Sequence, residues 1–172
     1  QIFGSLVIVI GLLFLFNNYP FRDFKYDQYH GDQGAGPYQN LIDYVNQKGG
    51  LVFWAHPEAE WTKRIDNISI ETKGDAADYL KGTHDYTGFT IFNFGYKRIG
   101  RPGGVWDELL KEYCEGARVN PVWAIGGLGF DQKGDLGTYI RDLRTVFLVP
   151  HLDKREAMKA LKEGRIYVAK GS

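Results

Sequence analysis

Gly49-Gly50-Leu51-Val52-Phe53-Trp54-Ala55-His56-Pro57-Glu58 is an apolar, β-branched and aromatic run that ends in a histidine followed by a proline. The pattern predicts a buried strand whose C-terminal tip presents an imidazole, after which the backbone turns. Strand tips are where α/β folds bind ligands and metals. His56 is therefore the first candidate for a reaction centre.

Strands and helices alternate on either side of this run. Leu41, Ile42 and Val45 show helical spacing after Pro37, and Gly49-Gly50 stops that helix. Downstream, a short helix is expected over Asp75 to Leu80 and a strand over Gly88 to Asn93. A helix over Val105 to Tyr113 and a strand over Pro121 to Ile125 follow. Thr138 to Leu143 reads as a short helix and Thr145 to Val149 as a strand. Asp153 caps a helix from Lys154 to Glu163, with Glu156 placed for a capping box and Gly164 as the stop. Ile166 to Ala169 is the last strand. Such alternation predicts βα units and a mainly parallel sheet or barrel, with its chemistry gathered at one rim.

The bulk properties fit one domain with a sizeable core: 172 residues, 44% hydrophobic and 24% charged. Lys+Arg and Asp+Glu both total 21, so no global field draws the chain towards nucleic acid. Aromatic residues are plentiful, but no basic stripe interleaves them, and no nucleic-acid partner is expected. Cys114 is the only cysteine, which excludes an internal disulfide and a cysteine-cluster zinc site. No Gly-x-Ser-x-Gly elbow occurs, and Cys114 sits within an expected helix, Leu109 to Glu115, so serine and cysteine nucleophiles are both disfavoured.

Residues Ile2 to Phe16 are uncharged and nearly all apolar. One reading is a membrane span or the core of a signal segment. The run is shorter than the roughly 20 residues a spanning helix needs, and no basic segment precedes it. Val7-Ile8-Val9-Ile10 is β-branched and Gly4 and Gly11 interrupt the stretch, which favours one or two buried strands. No membrane partner and a cytoplasmic location are therefore the expectation, with an anchored or exported form left open. The chain begins with Gln1, which suggests processing or a piece of something longer.

Four further segments bear on chemistry. Glu58, two residues past His56, is a candidate for substrate binding or for supporting a metal ligand. His30 lies in a long polar loop beside Asp27 and Asp32 and is a candidate ligand for a hard metal or a phosphate. Gly126-Gly127-Leu128-Gly129-Phe130-Asp131-Gln132-Lys133-Gly134-Asp135 follows a strand; backbone amides in such a turn can cradle a phosphate, and Asp131 or Asp135 could bind a metal. Gly127 and Lys133 are candidate substrate contacts there, and Asp131 is a candidate metal ligand. His84 and His151 sit in turns and read as structural or solvated.

Together these segments resemble the PHP (polymerase and histidinol phosphatase) superfamily. The resemblance rests on Gly49 to Pro57, the strand ending at Asn93, Trp106-Asp107-Glu108-Leu109-Leu110 and Val122 to Gly127. Arg144 to Val149 and Ala160 to Val168 add to it. It covers roughly Tyr38 to Gly171 and implies an α/β fold, a distorted (β/α)7 TIM-like barrel, in whole or lacking its N-terminal part. It also implies a hydrolase that uses divalent metal (Mn, Fe or Zn) at the strand tips to cleave a small phosphorylated substrate. His56 matches the metal-binding histidine of the third family motif. Two departures stand out: no His-x-His occurs, and Asp131-Gln132-Lys133 stands where the family has Asp-x-His. A catalytically degenerate PHP-like domain with a binding or structural role is therefore the alternative to a metal-dependent phosphoesterase.

Overall fold

The computed structural model describes residues 2–18, 21–22, 25–27, 31–59, 61–66, 68–72, 76–92, 95–127 and 143–171. The chain divides into two compact units, Gln1–Leu41 and Ile42–Ser172.

In the first unit, Ile2–Phe16 forms a helix, α1, where buried strands were expected. β-Branched residues favour strands only through packing against neighbours, a preference worth about 1 kcal/mol at most. A helix meets its backbone hydrogen bonds from within, and α1 continues into Asn17 N–H donating to Leu13 C=O. The next helix, α2 (Gly36–Gln47), has Pro37 in its first turn and carries the boundary between the units. It stops where Gly49, at φ 72, lets the Gly50 N–H return to the Val45 carbonyl.

The second unit is built on a parallel sheet of three strands. These are β1 (Phe53–Trp54), β4 (Gly88–Phe92) and β5 (Trp123–Gly126), with β4 in the centre. Between β1 and β4 the chain makes an antiparallel hairpin of β2 (Trp61–Ile65) and β3 (Ile68–Thr72), then helix α3 (Ala76–Gly82). Helix α4 (Val105–Cys114) connects β4 to β5. The chain ends in a second antiparallel pair, β6 (Leu143–Phe147) and β7 (Ile166–Lys170), joined through helix α5 (Lys154–Glu163).

A (β/α)7 barrel is therefore not what forms. Three separate sheets of three, two and two strands are present among the described residues, and none closes. The final unit shows why alternation misled. In a parallel crossover the helix carries the chain back to the far end of the sheet. Here α5 returns the chain to the same end of β6 that it had left. Phe147 pairs with Ile166, and the Leu148 N–H donates to the Arg165 carbonyl. The α5 caps match the sequence reading: Asp153 accepts from the Arg155 N–H, and Gly164 ends the helix in the left-handed conformation.

Ile42, Leu80, Tyr86, Phe89, Ile99, Leu109 and Val122 form the buried core, so α2, α3, α4 and β4 all contribute. Phe89 meets Trp106 edge-on, and the Trp106 indole N–H donates to the Val122 carbonyl. The β6–β7 pair is fastened to the parallel sheet through β5. The Gly126 N–H donates to Thr145 Oγ1, and the Trp123 indole donates to the Lys162 carbonyl at the end of α5. Gly164 lies so close over the Trp123 ring that a Cβ there would stand 2.4 Å from it.

Tyr86 is 2% exposed and donates its hydroxyl to the Leu80 carbonyl. Burial raises its pKa well above the ordinary tyrosine value, against the opposing pull of the Arg118 guanidinium and with a smaller push from Glu112. Unfolded chain then releases this proton above about pH 10 while folded chain keeps it. Stability is accordingly expected to hold up to about pH 10 and then fall, this group contributing up to about 1.4 kcal/mol per pH unit. Tyr86→Phe should lose about 1 kcal/mol at neutral pH and show a shallower alkaline decline in urea unfolding. Equal alkaline slopes for the two proteins would contradict the assignment.

Candidate functional site

β1, β4 and β5 are parallel, so their C-terminal ends share one rim. His56 follows β1 at that rim and is half-buried. A residue before proline favours extended backbone. His56 instead has φ 49, in the left-handed region, where a non-glycine residue costs roughly 1–2 kcal/mol. Two bonds hold it there. Its N–H donates to Thr90 Oγ1 at 3.0 Å, and its carbonyl accepts from the Ala59 N–H at 2.9 Å across the Pro57-Glu58 turn.

Thr90 is the hub of this corner. Besides accepting from His56, its hydroxyl lies 3.4 Å from the Trp54 carbonyl, to which it donates. The Thr90 side chain also sets how close β5 can come. A Cβ on Gly127 would stand 2.6 Å from Thr90 Cγ2, so glycine is what lets the chain leave β5 beside it. His56 just past β1, Thr90 within β4 and Gly127 just past β5 thus form one corner. The signal for Thr90 was a lone hydroxyl inside the apolar strand Gly88–Phe92, since a buried polar group needs a partner.

Glu58 is buried, 6% exposed, and its carboxylate is engaged by the backbone. Oε2 accepts from the Lys97 N–H at 3.0 Å, and Oε1 accepts from the N–H groups of Arg98 and Ile99. Three successive amides converging on one carboxylate make a structural clasp between the turn after His56 and the loop after β4. Its oxygens face the loop amides, a use that its spacing from His56 does not suggest.

His30, Asp131 and Lys133, the remaining sequence candidates, lie outside the described residues, as does nearly all of the expected Thr138–Leu143 helix. Among the described residues, no three His, Cys, Asp or Glu side chains come together as a group able to hold a metal ion. The described donors therefore do not make a metal centre by themselves, and His56 is the one described member of the expected metal-ligand set. No protein-family model, no curated protein and no solved structure matches this chain.

Proposed function

We propose that the chain is a phosphoesterase-like protein whose working rim is the corner of His56, Thr90 and Gly127. The observation that carries this reading is the left-handed backbone of His56 at the tip of a parallel strand. Backbone held in a sparsely populated conformation clusters at functional sites, and parallel sheets bind ligands at this end of their strands. The resemblance to the PHP superfamily points to the same histidine and to a small phosphorylated substrate. Such chemistry uses a divalent ion (Mn, Fe or Zn) to supply a nucleophilic water. In this chain His56 would be one ligand, with His30 and Asp131 as the sequence candidates for others.

The test uses protein produced with these metals supplied, elemental analysis, and hydrolysis of an aryl phosphate. His56→Asn is the informative variant, because asparagine tolerates left-handed backbone and removes the imidazole. Metal content and turnover are expected to fall by at least about 10–100-fold, the loss that removing even an outer-shell partner causes. Wild-type protein free of metal and no more active than His56→Asn would sink the enzyme reading. The altered Asp131-Gln132-Lys133 stretch favours a second reading, a degenerate domain that binds without turnover. Saturable binding of an aryl phosphonate, lost in His56→Asn and without hydrolysis of the phosphate, would establish it.

A further inference from the structure

We propose that α1 is a lipid-embedded segment: it sits in the hydrocarbon of a bilayer, with the residues just after it at the headgroups. The first ground is the character of its surface. Eleven apolar side chains, Phe3, Leu6 to Ile10 and Leu12 to Phe16, are each between 44% and 79% exposed. At 3.6 residues per turn these positions cover every direction around the axis. No charged side chain lies in Ile2–Phe16, and Ser5 is its only polar one.

This uniformity decides the occupant. A helix that docks in a protein groove buries one stripe and keeps a polar face for water. α1 has no polar face to keep. Its backbone hydrogen bonds are met from within, which is what hydrocarbon demands of any segment that enters it. Contiguous exposed apolar surface beyond roughly a few hundred Å² is rare on proteins that stay in water.

The second ground is the segment that follows. Asn17 and Asn18 end the apolar run, and within ten residues of its end come Phe21, Arg22, Lys25 and Tyr26. Phe21 packs edge-on against Phe16, Arg22 bonds the Asn17 side chain, and Lys25 lies over the Tyr26 ring. Aromatic and basic side chains gathered at one end of an apolar helix are the composition of a bilayer interface. Fifteen residues rise about 22 Å, against a hydrocarbon core of about 30 Å. Among the described residues no helix is long and apolar enough to cross a membrane. The proposal is accordingly of embedding.

Flotation of the full chain with phosphatidylcholine vesicles tests it, beside vesicles that also carry phosphatidylserine. Most of the protein is expected to float with both, to stay bound in high salt and to be released by detergent. The double variant Ile8→Asp, Leu12→Asp should cut the floated fraction at least tenfold. A second measurement covers misfolding of that variant. Phe14→Trp should gain fluorescence that lipids brominated in their tails quench. Protein that stays in the aqueous fraction would overturn the proposal. So would binding only to anionic vesicles that salt reverses, an unquenched Trp at position 14, or self-association without vesicle binding.

Discussion

Glu58→Ala is expected to destabilise the second unit by about 3–5 kcal/mol, the range for removing one partner of a buried charged interaction. The carboxylate accepts from three consecutive backbone N–H groups, those of Lys97, Arg98 and Ile99. Ile99 is itself fully buried, so no water takes over its amide when the carboxylate goes. Each bond to a charged acceptor contributes about 1.5–3 kcal/mol, and orphaned buried donors add their own desolvation penalty. Against a typical stability of about 5–15 kcal/mol this is a large share. Glu58→Gln should lose less, about half as much, because the amide oxygen can face Arg98 and Ile99 while the NH₂ opposes Lys97. Urea denaturation of the three proteins gives the comparison. A loss under about 1 kcal/mol for Glu58→Ala would show that the loop amides find other acceptors.

Arg118→Ala is expected to have the next largest effect, about 3 kcal/mol or more. Arg118 is 6% exposed, and its guanidinium donates to the carbonyls of Leu80 and Lys81 in the last turn of α3 and of Thr83 just after it. Its Nε donates to Glu112 of α4 at 2.6 Å. A helix end leaves carbonyls without partners inside the helix, and here one planar cation satisfies two of them and the Thr83 carbonyl just beyond. The Lys81–Glu108 ion pair also links the two helices, but both side chains are half-exposed and it offsets little. Arg118→Lys should recover only a fraction, since a point charge cannot reach several carbonyls and a carboxylate together. Amide exchange should speed up selectively in α3. Tyr86 shares the Leu80 carbonyl with Arg118, so the Tyr86→Phe and Arg118→Ala effects should not add. Uniform exchange throughout the unit would place the loss elsewhere.

Much of the local structure was legible because it is written in short-range chemistry. Asp153 and Gly164 bound α5 at the expected residues, and Pro37 and Gly49 do the same for α2 within one or two positions. His56 stands at a strand tip as its pattern implied, although the strand itself is only Phe53–Trp54. The β2–β3 hairpin has a local signal in Asp66. Ile65 pairs with Ile68, and Asp66 between them, at φ 53, is a residue type that tolerates the left-handed backbone of a tight hairpin turn. Strand direction was not legible at all. Thr145 to Val149 and Ile166 to Ala169 carry the same alternation whether parallel or antiparallel, and only the return of α5 to the end of β6 decides it. For α1, composition alone could not separate a buried strand from an exposed helix, because both are long apolar runs. At the site, Thr90 and Glu58 act through partners 34 to 41 residues away, a distance no local pattern spans.

The fastening of Trp123 has a consequence for how the polypeptide could be divided. Among the described residues, the β6–α5–β7 piece is held to β5 by hydrogen bonds through space, at Trp123 and at Thr145, and by the seat of Gly164 on the indole. Two separately made pieces, one ending with β5 and the other beginning with β6, therefore carry complementary surfaces by which to recognise each other. Trp123 and Thr145 are then the side chains whose loss would weaken that recognition.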